Sequence, residues 1–307
     1  MRIGYVGVGN MGGALAARLL ERHDVMVFDA SAEAMARLTA AGATPAAGCA
    51  AVAEACDVVF LCLPTSDHVR RAVFGDDGLA GHLRPGTLLI DQTTGDPNAT
   101  RAMAAELAVK GVDLIDAPVS GGIAGAKAGT IAIMVGGSEA LHARALPLLR
   151  DISPNVFHAG PVGGGHVIKL VNNLMSCAQR LLTMEAVALA QKNGVAPRTA
   201  VDILNAGGGR NAYLDKMMGP RIIAGKLNVG FTLGLAHKDL RLACQLGIDS
   251  GVPMFFGNVA RELYQMCIAH VGADNQVDAA ALVFDRLAGT DVVPADNDLG
   301  LSKLGVK

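Results

Sequence analysis

Tryptophan is absent from this chain of 307 residues, and aromatic residues make up only 4%. That leaves no row of stacking platforms for single-stranded nucleic acid. Charge is also scarce: Asp, Glu, Lys and Arg total 18%, below the usual ~25%. The net charge is −2 and the pI is near 6.4, so no basic field recruits nucleic acid or an anionic lipid surface. Long apolar runs are missing as well. A membrane span needs ~20 consecutive, mostly apolar residues. The longest uncharged stretch, Leu38 to Ala53, is mainly alanine and is broken by Gly42, Thr44, Pro45 and Gly48. Met1 to Val6 lacks the apolar segment of a secretory signal. The six cysteines (Cys49, Cys56, Cys62, Cys177, Cys244 and Cys267) form no CxxC pair and no His/Cys ligand spacing. They read as reduced thiols of a cytoplasmic protein, with no metal site.

Apolar surface, by contrast, is plentiful. Hydrophobic residues make up 51% and the mean hydropathy is +0.37, which excludes disorder. The surplus on helices points to a homo-oligomer. The length is that of about two domains of ~150 residues. Over the first half, short apolar runs alternate with helical segments: runs at 2–6, 25–28, 57–64, 87–91, 112–115, 131–135 and 155–157, with helices over 11–21 and 32–41. Unbroken apolar runs suit strands covered on both faces, and the alternation predicts an α/β, mostly parallel, doubly wound sheet. After Gly163-Gly164-Gly165 the strand signals stop. A long helix is expected over 166–193, with further helices near 212–224, 232–250, 253–268 and 278–287. The expected organisation is a dinucleotide-binding domain at 1–162, an all-helical domain at 163–290 and a loose tail at 291–307.

Gly7-Val8-Gly9-Asn10-Met11-Gly12 fits GxGxxG, between a strand and a helix. The first glycine allows a tight turn, the second lets backbone approach a pyrophosphate, and the third packs helix on strand. Backbone N–H groups at the helix start meet the phosphate charge. Asp29 ends the next strand, at the offset from which a carboxylate bonds the adenosine ribose. It would repel the 2′-phosphate of NADP. Residues 30–32 are Ala, Ser and Ala, and Arg37 lies a helix turn or more away, so NAD is the expected cofactor rather than NADP.

Three further segments carry chemistry. Asp116-Ala117-Pro118-Val119-Ser120-Gly121-Gly122 offers a hydroxyl and unhindered N–H groups, a cradle for a carboxylate. It reads equally as an ordinary strand-to-loop turn. In Gly165-His166-Val167-Ile168-Lys169-Leu170-Val171-Asn172-Asn173, Lys169 and Asn173 are four apart and share a helix face. A lone helical lysine is ordinarily a solvated charge, yet Ile168, Leu170 and Val171 leave little polar face around this one. Lys238-Asp239 by itself reads as a surface ion pair.

In combination these segments resemble the β-hydroxyacid dehydrogenase family, the 3-hydroxyisobutyrate dehydrogenases and tartronate semialdehyde reductases, from residue 1 to about residue 290. The resemblance implies a Rossmann domain followed by an all-α domain joined by a long helix, in a homodimer or homotetramer. It implies that Ser120, Gly121 and Gly122 bind a substrate carboxylate, that Lys169 is the acid/base, and that Asn173 supports it. Gly7, Gly9, Asn10, Met11, Gly12 and Asp29 would bind the cofactor, with Leu63, Pro64, Thr94 and Lys238 nearer the nicotinamide. His68 stands where the family often has a cofactor-contacting asparagine. Phe231 and Asp239 match positions lining the active site. The implied reaction passes hydride from a small 3-hydroxy acid to NAD, with Lys169 taking the hydroxyl proton in a water-poor site that lowers its pKa. The rivals are an NADPH-dependent glyoxylate, succinic semialdehyde or tartronate semialdehyde reductase, and a non-catalytic dinucleotide-binding regulator. Asp29 argues against the first. The second would need none of Lys169, Asn173 and Ser120.

Overall fold

The computed structural model describes residues 1–302 and divides into two compact units, Met1–Lys169 and Leu170 onward. In the first unit, β1 (Ile3–Val6), β2 (Val25–Phe28), β3 (Thr44–Pro45), β4 (Val58–Leu61), β5 (Leu88–Asp91) and β6 (Asp113–Asp116) form one sheet. Every neighbouring pair is parallel and the order is 3-2-1-4-5-6. The connecting helices are α1 (Asn10–Leu20), α2 (Ala32–Ala40), α3 (Cys49–Ala55), α4 (Ser66–Phe74) and α5 (Pro97–Ala108). The five longer strands feed both faces of the sheet. Tyr5, Phe60 and Ile90 enter one core, while Val6, Val59, Leu61 and Leu89 enter the other. This explains the unbroken apolar runs. Within this sheet, β3 left no strand signal. It is two residues long and exposed, and it carries Pro45, tolerated at an edge.

A second, three-stranded sheet follows. It contains β7 (Val119–Ser120), β8 (Ala132–Val135) and β9 (Val156–His158), with α6 (Gly122–Lys127) and α7 (Glu139–Ile152) in the connections. An antiparallel bridge between Asp116 and Gly136 ties it to β6.

The long helix α8 (Gly164–Lys192) begins in the first unit and continues into the second. The division thus falls inside the helix rather than at the expected 162/163, because its first turn is bonded to the ends of β5 and β6. The second unit packs α9 (Pro197–Ala206), α10 (Leu233–Ser250), α11 (Phe255–Val271) and α12 (Ala280–Ala288) with α8 around one apolar core.

Two expectations need correction. The helix expected over 212–224 is instead a π-helical turn, Leu214–Met218, and a 3₁₀ turn, Ile222–Ala224. Gly219-Pro220 stands between them, and proline cannot donate to the helix ladder. The segment after residue 290, expected to be loose, is anchored as far as residue 302. Buried Asp285 accepts the N–H groups of Val292 and Val293 at 2.9 and 2.8 Å, and both valines are buried. Asp298 accepts from the Leu227 N–H at 2.7 Å. Residues 303–307 of that expected tail lie outside the described residues.

Candidate active site

The glycine loop lies between the C-terminal ends of β1 and β4, where the strand order reverses. In open α/β sheets that switch point is where ligands bind. Gly7 has φ +90°, and a side chain there would collide with the Cys62 carbonyl. At Gly12 a Cβ would run into the Gly7 carbonyl oxygen, so only glycine lets α1 start this close to β1. Gly9 is different: no atom lies within 4 Å of an added Cβ. Gly9 and Asn10 are exposed and Met11 is half-buried. The first turn of α1 has no side-chain cap and no acidic residue. Its N–H groups and positive dipole end therefore suit a pyrophosphate.

Asp29 stands at the other rim of the loop. One carboxylate oxygen accepts from the Val8 N–H at 2.7 Å and the other from the Ser31 N–H at 2.8 Å. Each oxygen keeps lone pairs for ribose hydroxyls. Arg37 pairs with Glu33 on α2 at 3.0 Å. A dinucleotide fits this part of the chain.

The remaining first-unit residues are linked through β5 and β6. Leu63 donates its N–H to Thr93 Oγ1 at 3.0 Å. The Thr93 carbonyl is 2.9 Å from His166 Nε2, and His166 Nδ1 is 3.0 Å from Thr100 Oγ1. Nε2 therefore carries a proton, since a carbonyl can only accept. Asp91, at the end of β5, accepts from the Thr93 N–H at 2.9 Å. Burial pushes its carboxyl above the usual range, opposed by His166 4.0 Å away. Burial and the nearby Asp91 likewise push the Cys62 thiol up to about 12. Asp116, at the end of β6, accepts from the N–H groups of Gly163 at 2.6 Å and His166 at 2.7 Å.

The triple glycine is explained here. Gly163 has φ +88°, and a side chain on Gly165 would collide with the Met134 carbonyl. Lys169 sits one turn beyond this anchor and is only 8% exposed. Ser120 is half-buried, and Gly121 and Gly122 are exposed with φ of +142° and +67°. Pro64 is exposed and Thr94 half-buried. His68 is exposed on the first turn of α4, where its N–H and Nδ1 both bond Thr65 Oγ1.

In the second unit, Asn173 donates to Asp239 Oδ2 at 2.6 Å. Lys238 Nζ is 3.2 Å from Asp239 Oδ1, with side chains only 13% and 3% exposed. The surface ion pair expected from the sequence is thus a buried one, because Asp239 lies on the core face of α10. Phe231 packs against the helical core, and its carbonyl accepts from the Val277 N–H at 2.8 Å.

Residues 2–160 match the family model for the NAD binding domain of 6-phosphogluconate dehydrogenase. Residues 163–284 match that for NAD-binding of NADP-dependent 3-hydroxyisobutyrate dehydrogenase. The chain is 37% identical to 3-hydroxyisobutyrate dehydrogenase of Pseudomonas aeruginosa, over 89% of this chain and 93% of that one. It belongs to the β-hydroxyacid dehydrogenase family of NAD-binding oxidoreductases. It is also 34% identical to 2-(hydroxymethyl)glutarate dehydrogenase of Eubacterium barkeri, over 95% and 97%. The solved 3-hydroxyisobutyrate dehydrogenase of Mycobacterium tuberculosis with L-serine superposes with a TM-score of 0.84 at 31% identity, covering 92% and 98%.

Asp116 and His166 stood in the quoted family segments and Asp91 ended the apolar run 87–91, but the sequence did not reveal their role. The only local signal was a carboxylate ending each of two apolar strands. Arg180 gave no signal at all, yet it pairs with buried Asp278 at 2.9 Å and lies over the Tyr213 ring. Arg210 is exposed and pairs with Asp215, while Asn211 caps the π-helical turn through the Tyr213 and Leu214 N–H groups.

Proposed function

We propose that this chain oxidises a small 3-hydroxy acid, 3-hydroxyisobutyrate or a close analogue, to its semialdehyde with NAD, and that Lys169 is the general acid/base. The supporting observation is the state of Lys169. A solvated helical lysine is exposed, whereas Lys169 is 8% exposed on a helix start held by Asp116 and His166. Burial disfavours an ammonium, so a buried lysine gives up its proton more readily than a solvated one.

Ser120 and the N–H groups of Gly121 and Gly122 take the substrate carboxylate, which sets the distance to the hydroxyl-bearing carbon. Lys169 Nζ receives the hydroxyl proton in oxidation and returns it in reduction. Asn173, fixed by Asp239, orients the same group. The bound nicotinamide supplies the hydride acceptor. Asp29 favours NAD, since Arg37 is engaged with Glu33 and Asp29 would repel a 2′-phosphate. That a family neighbour is solved with L-serine, itself a 3-hydroxy acid, supports the substrate class.

A homodimer or homotetramer is proposed on the exposed face of α8. Ile168, Val171, Met175, Leu182 and Leu189 are 44% to 65% exposed there. Ile168, Met175, Leu182 and Leu189 are spaced by sevens, the repeat of helices that pack lengthwise.

The test is turnover of 3-hydroxyisobutyrate, L-serine and 2-(hydroxymethyl)glutarate with NAD and with NADP, followed by nicotinamide absorbance. Lys169→Ala should lose ~10²–10⁴-fold in turnover while binding NAD as before by calorimetry. A variant that keeps more than about a tenth of the rate would remove Lys169 from the acid/base role.

A further inference from the structure

We propose that Asp116 is a positioning residue for the reaction: its carboxylate caps α8 and thereby fixes where Lys169 stands. The inference rests on the acid/base assignment of Lys169.

A helix start leaves four N–H groups without intrahelical partners. In α8 two such donors, on Gly163 and His166, go one to each oxygen of Asp116, at 2.6 and 2.7 Å. The cap comes from 47 and 50 residues away in the chain, so its purpose is not local turn formation. It is also rigid. The Asp116 backbone exchanges hydrogen bonds with Gly136 at 3.1 and 2.7 Å. A Cβ on Gly136 would collide with one carboxylate oxygen, and one on Gly165 would come within 2.9 Å of the other. The side chain is fully buried.

Lys169 is three residues beyond His166, so it takes its place from this turn. His166 adds a second tie, through Nε2 to the Thr93 carbonyl beside Thr94. Ser120 is four residues after Asp116 on the same strand-end segment. One carboxylate thus sets the lysine helix against both the substrate-carboxylate segment and the loop of Thr94. Asp suits the position and Asn does not. Two N–H donors need two acceptor oxygens, and an amide would turn its NH₂ toward one of them. The positive end of the helix also suits an acidic side chain better than an amide.

The experiment uses the full-length protein with NAD and with 3-hydroxyisobutyrate and L-serine as probes. Asp116→Asn is compared with Lys169→Ala and with the double variant. Asp116→Asn should lower kcat at least about tenfold, as displacing a reacting group does, with KM and the NAD dissociation constant within about threefold. The double variant should be no slower than Lys169→Ala, because Asp116 acts through Lys169. Amide exchange over residues 163–169 should quicken at least about tenfold, with residues 3–12 unchanged.

A kcat within about threefold of wild type, or losses that multiply in the double variant, overturns the proposal. So does unchanged exchange over 163–169, a readout that stands even if neither probe is turned over. If Asp116→Asn does not fold, Asp116→Ser, which accepts from one N–H, is carried through the same measurements. Activity retained in Lys169→Ala would sink the acid/base assignment instead, and the exchange result would still decide whether Asp116 holds the helix.

Discussion

Buried carboxylates are held by backbone in the first unit and largely by side chains in the second. Asp91 and Asp116, and half-buried Asp29, accept from N–H groups of Thr93, of Gly163 and His166, and of Val8 and Ser31. All three end parallel strands, where the chain must turn and free N–H groups accumulate. Asp239 and Asp278 lie among helices, whose N–H groups are already spent within the helix. They rely on Asn173 and Lys238, and on Arg180 and Tyr213. The backbone mode returns at Asp285, where the chain leaves α12. A carboxylate held by N–H groups fixes the path of a loop. One held by a cation mainly requires that the cation remain.

The largest effect expected from this contrast is at Asp278. Asp278→Ala leaves the Arg180 guanidinium buried without its carboxylate, which should cost ~3–5 kcal/mol, read as a lowered midpoint in urea. A loss below about 1 kcal/mol would mean that water replaces the carboxylate and that the pair behaves as an exposed one.

Next come two glycines of one loop. Gly12→Ala forces a Cβ into the Gly7 carbonyl and should destabilise by roughly 1–3 kcal/mol. Gly9→Ala meets nothing within 4 Å, so its melting temperature should stay unchanged. Its affinity for NAD should fall about tenfold, equivalent to ~1.4 kcal/mol. Equal effects of the two substitutions on stability would erase the division between a packing glycine and a ligand-facing one.

The smallest effect is a pH slope at Asp91. Burial raises its folded pKa, with Asp116 adding to the rise and His166 and Thr93 opposing it. An unfolded aspartate titrates near ~3.9. Between that pH and the raised folded value, the folded state holds a proton that the unfolded state has lost. Stability attributable to Asp91 therefore falls as pH rises through this window, and the cost persists above it. The stability difference between wild type and Asp91→Asn, from urea unfolding at several pH values, should move toward the variant from pH ~4 upward and then level off. A difference independent of pH would show that Asp91 ionises in the fold as easily as in water.

Much of the fold was legible in the sequence because its signals are local. An apolar run, a glycine turn and a helical stretch each fit within a dozen residues, and their alternation implies the parallel sheet. The glycine loop and Asp29 were legible for the same reason. The two-residue β3 was too short to show. The helix expected over 212–224 failed because Gly219-Pro220 breaks it, and residues 291–302 looked loose because their partners, Asp285 and the Leu227 N–H, are supplied by folding.

By itself, then, the sequence determined the order of elements, the dinucleotide loop and the identity of the chemical groups. Only the tertiary structure decided what those groups are bonded to. Lys238 and Asp239 read as a surface pair until α10 turned Asp239 into the core. Lys169 had little polar face around it in the sequence, but only the packed chain showed it buried. Asp116 read as part of a turn until its carboxylate met N–H groups 47 and 50 residues away. Propensity and periodicity act over a few residues. Burial and hydrogen-bond partnership depend on which distant segments the packed chain brings together.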